Sequence, residues 1–142
     1  VAESLFVYGT LMFPEIRSVL VGREFRTSPA FLHGYRRRSV FLAGRAPMPG
    51  IVADEAASVS GILLRSVDSR SLRIFDTFEG MKAGLYDRLK VSVSDGEGKT
   101  VEVSTYVPGL AARGLGKGEW DPDVFRRRHL AAYRRRIIAL WR

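Results

Sequence analysis

Two short stretches carry residue types that would make an acid–base site if the fold brought them together. Glu79 stands in Phe78-Glu79-Gly80-Met81, at the end of an apolar helical pattern. A carboxylate enclosed by such neighbours is disfavoured as an anion. Its pKa then rises toward neutrality, where one group can take a proton and return it within a cycle. The second stretch, Leu5-Phe6-Val7-Tyr8-Gly9-Thr10-Leu11, reads as a short apolar strand that stops in a glycine turn before a helix start. Backbone N–H groups released at such a turn can hold an anion or a developing oxyanion. Both stretches also have plainer readings, a solvated helix-end glutamate and an ordinary strand-to-helix turn.

Several residues flank these two. Asp76 and Asp87 rival Glu79 for any acid–base role. Tyr86 and Tyr106 are candidates for a pocket wall. Tyr106 has the opposite parity to Val101, Val103 and Val107, so it faces away from that apolar row, toward a ligand or toward solvent. Arg88 could meet a substrate carboxylate, but an ion pair with Asp76 or Asp87 is the stronger expectation. Trp120-Asp121-Pro122-Asp123-Val124-Phe125 reads as helix capping plus packing.

Composition removes other chemistries. The 142 residues include no cysteine, which excludes disulfides, thiol nucleophiles and thiolate metal sites and fits a cytoplasmic location. The two histidines, His33 and His129, are far apart and lie in no HxxxH or HExxH pattern, so no metal site is expected. No GxSxG element supports a serine triad. Gly114-Leu115-Gly116-Lys117-Gly118 lacks the GK[ST] sequence and the strand–turn–helix context of a phosphate loop. No run of residues is long and apolar enough for a membrane span, and the first residues show no leader pattern. The net charge of +8 comes mostly from Arg36–Arg38, Arg126–Arg128 and Arg134–Arg136. That raises nucleic acid as a partner. The arginines of the last helix spread around its circumference without interleaved aromatics, so a solvated basic surface is expected and no specific nucleic acid.

The elements that must position these residues follow from periodicity and punctuation. Ser4–Tyr8 is a strand. A helix begins at Pro14 and ends by Gly22, and Glu24–Val40 is mostly extended. Ala46–Gly50, with Pro47 and Pro49, reads as a loop. Ser58–Arg65 reads as a strand buried on both sides, because Ile62, Leu63 and Leu64 are consecutive. Asp68 caps a helix carrying Leu72, Ile74, Phe75 and Phe78, which Gly80 ends. Leu89, Val91 and Val93 share one strand face, as do Val101, Val103, Thr105 and Val107. Asp95-Gly96-Glu97-Gly98 joins these two strands in a hairpin. Pro108–Gly118 reads as a glycine-rich loop. Asp121-Pro122 opens a last helix with Leu130, Tyr133, Ile137 and Trp141 buried. Strands and helices do not alternate regularly, so the class is α+β, with a curved, mostly antiparallel sheet or small barrel, as one domain over residues 1–142.

Taken in order, Phe6-Val7-Tyr8-Gly9-Thr10-Leu11, Val59-Ser60-Gly61-Ile62-Leu63, Phe78-Glu79-Gly80 and Tyr86-Asp87-Arg88 resemble the gamma-glutamylcyclotransferase-like superfamily, on its gamma-glutamylamine cyclotransferase and avirulence-induced-gene branch. The resemblance covers almost the whole chain. It implies a small mixed β-barrel with helices packed outside. It implies that Tyr8, Gly9, Thr10 and Leu11 line the pocket and offer backbone amides, and that the family's acidic residue falls on Glu79. The implied reaction converts a γ-glutamyl group to 5-oxoproline and releases an amine or amino acid, with no metal or organic cofactor. The implied partner is therefore a small γ-glutamyl substrate. A non-catalytic binding module of the same fold and a basic nucleic-acid-binding protein remain as alternatives. The leaving group and the oligomeric state are not legible.

Overall fold

The computed structural model of the chain describes residues 3–42, 48–109, 112–115 and 118–141, with the backbone alone for 41, 42 and 112–115. Six strands form one sheet: β1 (Glu3–Val7), β2 (Arg26–Leu42), β3 (Met48–Val67), β4 (Tyr86–Asp95), β5 (Thr100–Pro108) and β6 (Ala112–Leu115). The order β3-β1-β5-β4-β2, with β2 also paired to β3, closes five of them into a ring, and β6 adds to β2 outside it. The pairs are antiparallel except β1 with β5, where Leu5 faces Ser104 and Phe6 faces Thr105. The fold is thus the α+β class expected, a mostly antiparallel barrel with helices outside.

Closure explains the runs of apolar residues. The strands of the ring present one face inward, and β1 and the adjoining part of β3 present the other to the helices. Phe6, Ala30, Leu32, Val59, Leu63, Val93 and Val103 pack together inside the ring. Leu5, Val7 and Leu64, of the opposite parity, and Val67, beyond the register shift that follows Leu64, pack with Leu20, Leu72, Phe75, Phe125, Leu130 and Ile137 of the helices. Leu63 and Leu64 are both fully buried because both faces of β3 are covered there.

Four α-helices are described. α1 (Pro14–Val21) begins with Pro14 in its first turn and ends at Gly22 in the left-handed region. α2 (Ser69–Phe78) is capped by Asp68, whose side chain accepts a hydrogen bond from the Ser71 N–H. Gly80, at φ 71°, follows as expected. The last segment differs from the single helix expected. It is α3 (Pro122–Arg128) and α4 (Leu130–Trp141), with His129 at φ −127° breaking the run. Leu130 and Ile137 are buried while Tyr133 and Trp141 are half-buried.

Two expected loops are strand in part. Met48–Gly50 belongs to β3, which is much longer than Ser58–Arg65, because Gly50 pairs with Arg38 and Pro49 with Ser39 across the β2–β3 hairpin. Of the stretch Pro108–Gly118, Ala112–Leu115 is β6, held to Val40 and Leu42 of β2. Pro47 and most of the remaining loop residues lie outside the described residues. Non-local pairing decided both cases, and proline and glycine content could not signal it. Leu89 shares its strand face with Val91 and Val93, but only Val93 is fully buried and Leu89 is exposed.

Gly61 marks the tightest contact between β1 and β3. A Cβ there would lie 2.6 Å from both the Phe6 ring and the Val7 carbonyl oxygen. Gly61→Ala is expected to destabilise the fold by about 1–3 kcal/mol, since neither a core ring nor a paired strand can retreat. Gly118→Ala, with nothing within 4 Å of the added carbon, is expected to be close to neutral. Denaturant midpoints of the two variants check this.

Candidate active site

β1 runs between β3 and β5, and its last residues leave the ring where α2 ends. Tyr8 follows β1, and Gly9 opens a short 3₁₀ turn over Thr10–Met12. The first hydrogen bond of that turn runs from the Met12 N–H to the Gly9 carbonyl at 3.0 Å. The N–H groups of Thr10 and Leu11 precede it and have no partner within the turn. Gly9 is required by a close approach, since a Cβ there would sit 2.7 Å from Cγ of Pro49.

A small hollow of about 30 Å³, open to solvent at its mouth, lies against this turn. Its walls are Phe6 to Leu11, Met48, Pro49, Glu79, Tyr86 and Tyr106. The residues the sequence singled out, Glu79, Tyr8, Gly9, Thr10, Leu11, Tyr86 and Tyr106, therefore share one cavity. Met48 and Pro49 were not singled out individually, although the segment Ala43–Glu55 was expected to build the pocket beyond the γ-glutamyl part, as a loop. No local pattern pointed to them, because what brings them to the hollow is the long-range approach of Pro49 to Gly9.

The tyrosines that line the hollow are tied at their phenols. Tyr8 donates to the carbonyl of Tyr106 at 2.7 Å, and Tyr86 donates to the carbonyl of Pro49 at 2.6 Å. Tyr106 is buried rather than exposed to solvent, and donates to Oδ1 of Asp76 at 2.6 Å. Burial, with Tyr86 and Glu79 nearby, pushes the Tyr8 phenol well above its ordinary pKa, so it acts as a neutral donor. Burial and the bond to Asp76 push Tyr106 up in the same sense.

The three carboxylates considered for acid–base work end in different surroundings. Asp87 is exposed. Asp76 is held by Arg88, at 3.0 and 3.2 Å, as well as by Tyr106. Arg88 thus forms the structural ion pair expected of it, and it also reaches Glu3 at 3.2 Å. Glu79 follows the last turn of α2, where its own N–H bonds back to the Phe75 carbonyl at 2.9 Å. Averaged over the residue Glu79 is half-buried. The crowding around its carboxyl, not that average, governs its titration. Burial first, and the negative charge of Asp76 second, push its pKa from 4.5 up to about 8. No ion pair or side-chain hydrogen bond is found for Glu79 among the described residues, in contrast to Asp76. Also among the described residues, no group of three or more His, Asp or Glu is placed to hold a metal ion, and no helix is long and apolar enough to cross a membrane.

A closed five-stranded ring, helices packed outside it and one acid-bearing hollow at the end of β1 define a gamma-glutamylcyclotransferase-like protein. The chain belongs to the family described as gamma-glutamyl cyclotransferase, AIG2-like, whose model matches residues 5–122. It is similar to Protein AIG2 C of Arabidopsis thaliana, 35% identical over 127 residues that make up 88% of this chain and 73% of that one. A solution structure of another Arabidopsis thaliana protein is 31% identical, with a TM-score of 0.70 over 99% of this chain and 82% of that one. A structure titled gamma-glutamyl cyclotransferase has a TM-score of 0.73 over 98% of this chain and 88% of its own, and at 18% identity it speaks to the fold alone.

Two predictions follow from the titration of Glu79. In the folded chain its carboxyl keeps a proton up to about pH 8, against 4.5 when unfolded. Folding therefore takes up a proton across that window, and stability falls as pH rises through it. Glu79→Gln removes this dependence, so the melting temperature of the variant minus that of the parent should grow between pH 4.5 and 8. A constant difference would mean that the acid is not shifted. Asp76→Asn keeps an acceptor for Tyr106 but removes the charge. The Glu79 carboxyl, followed by its carbon-13 shift, should then titrate below 8 yet above 4.5, because burial, the larger cause, remains.

Proposed function

We propose that this chain cyclises the γ-glutamyl group of a small amide, forming 5-oxoproline and releasing a free amine or amino acid. The observation that carries the reading is one shared hollow. The carboxyl of Glu79, with its pKa raised to about 8, lines the same space as the backbone turn Tyr8–Leu11.

The reaction needs no nucleophile from the protein, in keeping with a chain that contains no cysteine. The α-amine of the substrate attacks its own γ-carbonyl carbon. Glu79, as carboxylate, takes a proton from that amine as the new C–N bond forms. The negative charge then falls on the former carbonyl oxygen, where N–H groups of the Gly9 turn can stabilise it. Glu79 returns the proton to the leaving nitrogen, the original C–N bond breaks, and the ring product and free amine separate. The number of protons on the enzyme is unchanged over the cycle. A γ-glutamyl chain is flexible, and the narrow walls of Tyr8, Tyr86 and Tyr106 would hold it in the bent pose that cyclisation requires. The phenol–carbonyl bonds of Tyr8 and Tyr86 fix those walls in place before the substrate arrives.

The test is to incubate the protein with γ-glutamyl amines, γ-glutamyl amino acids and glutathione and to measure 5-oxoproline. At least one class should turn over. Glu79→Gln should fold and lose about 10²–10⁴-fold in kcat/KM, the usual contribution of a general acid–base group. The parent's kcat/KM should rise with pH to an inflection near the Glu79 pKa of about 8. Full activity in Glu79→Gln would remove the mechanism, and no turnover of any of the three classes would leave a binding module of this fold.

A further inference from the structure

The positive charge of this chain is concentrated at one place. Residues 122–142 contain seven arginines and one carboxylate, a net +6 out of +8 for the whole chain. Arg126, Arg127 and Arg128 end α3, and Arg134, Arg135 and Arg136 lie in the middle of α4, with only the break at His129 between the two helices. All six are exposed. They fall within eleven residues of sequence, three on each of two helices.

Little in the fold neutralises them. Arg126 reaches Glu15 at 3.5 Å and covers the Phe13 ring, and Arg136 lies over Tyr133. Among the described residues, no carboxylate lies within ion-pair distance of Arg127, Arg128, Arg134 or Arg135. Unneutralised guanidinium groups on neighbouring helices raise the local positive potential, and a partner carrying regularly spaced negative charge would relieve that. None of the six lines the hollow beside Glu79, so the surface is separate from it.

We infer that this arginine surface docks duplex nucleic acid through its phosphates, without reading sequence. Three observations select this partner. Arginine matches phosphate with a planar fork of donors, and a duplex offers phosphates at close, regular spacing. The aromatic rings of α3 and α4 are engaged inside the protein: Phe125 is buried, Tyr133 packs on it with ring centres 5.5 Å apart, and Trp141 packs on Phe78 at 6.0 Å. None is free to stack on single-stranded bases. The apolar stripe of α4, Leu130 and Ile137, is turned to the core. Apart from Leu140, which is 73% exposed, α4 therefore has little apolar surface to insert into a bilayer.

The experiment is fluorescence anisotropy of a labelled duplex of arbitrary sequence titrated with the full chain. Adjacent residues of a helix point about 100° apart, so two to four of the arginines reach phosphates together, which predicts an affinity loss of about 10- to 10²-fold between ~50 and ~200 mM salt. A second duplex of unrelated sequence should bind equally. The variant Arg127→Ala, Arg128→Ala, Arg134→Ala, Arg135→Ala should lose most of the affinity and most of the salt slope while keeping its melting temperature, since alanine favours helix. A matched variant, Arg26→Ala, Arg65→Ala, Lys82→Ala, Lys99→Ala, removes the same charge elsewhere and should retain most of the binding. Equal losses in the two variants would reduce the effect to net charge and overturn the inference. So would no binding by the parent at ~50 mM salt, the regime in which phosphate contacts are strongest, or tighter binding to phosphatidylserine vesicles than to duplex at matched ionic strength. Should the arginine variant unfold, Arg127→Gln, Arg128→Gln, Arg134→Gln, Arg135→Gln takes its place, and its loss of affinity is set against the same matched control.

Discussion

Closure of the ring is the constraint on which the site depends. β1 is only five residues long, yet it bonds β3 on one side and β5 on the other. A strand so placed must present both faces to packed surroundings. Phe6 points inside the barrel, and Leu5 and Val7 point to the helices. The strand cannot shift register without moving both sets to the wrong side. Its end is therefore fixed, and with it the position of Gly9. Pairing also supplies cross-bracing: Thr105 donates its hydroxyl to the Phe6 carbonyl at 2.9 Å, and Tyr8 donates to the Tyr106 carbonyl across a separation of 98 residues.

The second constraint is electrostatic, and it sorts two carboxyl groups three residues apart. Asp76 has a guanidinium and a phenol as partners. Glu79 has burial and the charge of Asp76, and both favour its protonated form. One acid thus serves as a structural anion while its neighbour titrates near neutrality. The anchoring extends outward: Arg88 also meets Glu3, and Glu3 accepts from Lys90 at 2.9 Å and from Ser104 at 2.6 Å. This chain of contacts joins β1, both strands of the β4–β5 hairpin and α2, which together with the start of β3 frame the hollow.

The arginines of α3 and α4 stand apart from this arrangement. The helices contribute to the core through Phe125, Leu130 and Ile137, with Tyr133 and Trp141 packed against it, and the exposed arginines lie outside that packing. Core packing fixes where the charge is displayed but does not require that there be charge at all. A helix needed only as a cover for the barrel would be as stable with a mixed, nearly neutral surface.

Much was legible in the residues themselves. The helix boundaries at Pro14, Gly22, Asp68 and Gly80, and the hairpin at Asp95–Gly98, follow from local rules, because caps and tight turns are satisfied within a few residues. The order of the short stretches around Tyr8, Gly61, Glu79 and Tyr86 was enough to indicate the family. Other features were decided in three dimensions. Met48–Gly50 became strand because β2 offered hydrogen-bond partners, and Ala112–Leu115 did so for the same reason. The resemblance put the family's acid on Glu79, but the raised pKa, caused by burial and by the charge of Asp76, became visible only in the folded chain. Local sequence sets turns and caps because their hydrogen bonds close within one or two turns of chain. It cannot set a pKa, because desolvation sums over neighbours that only the closed ring brings together.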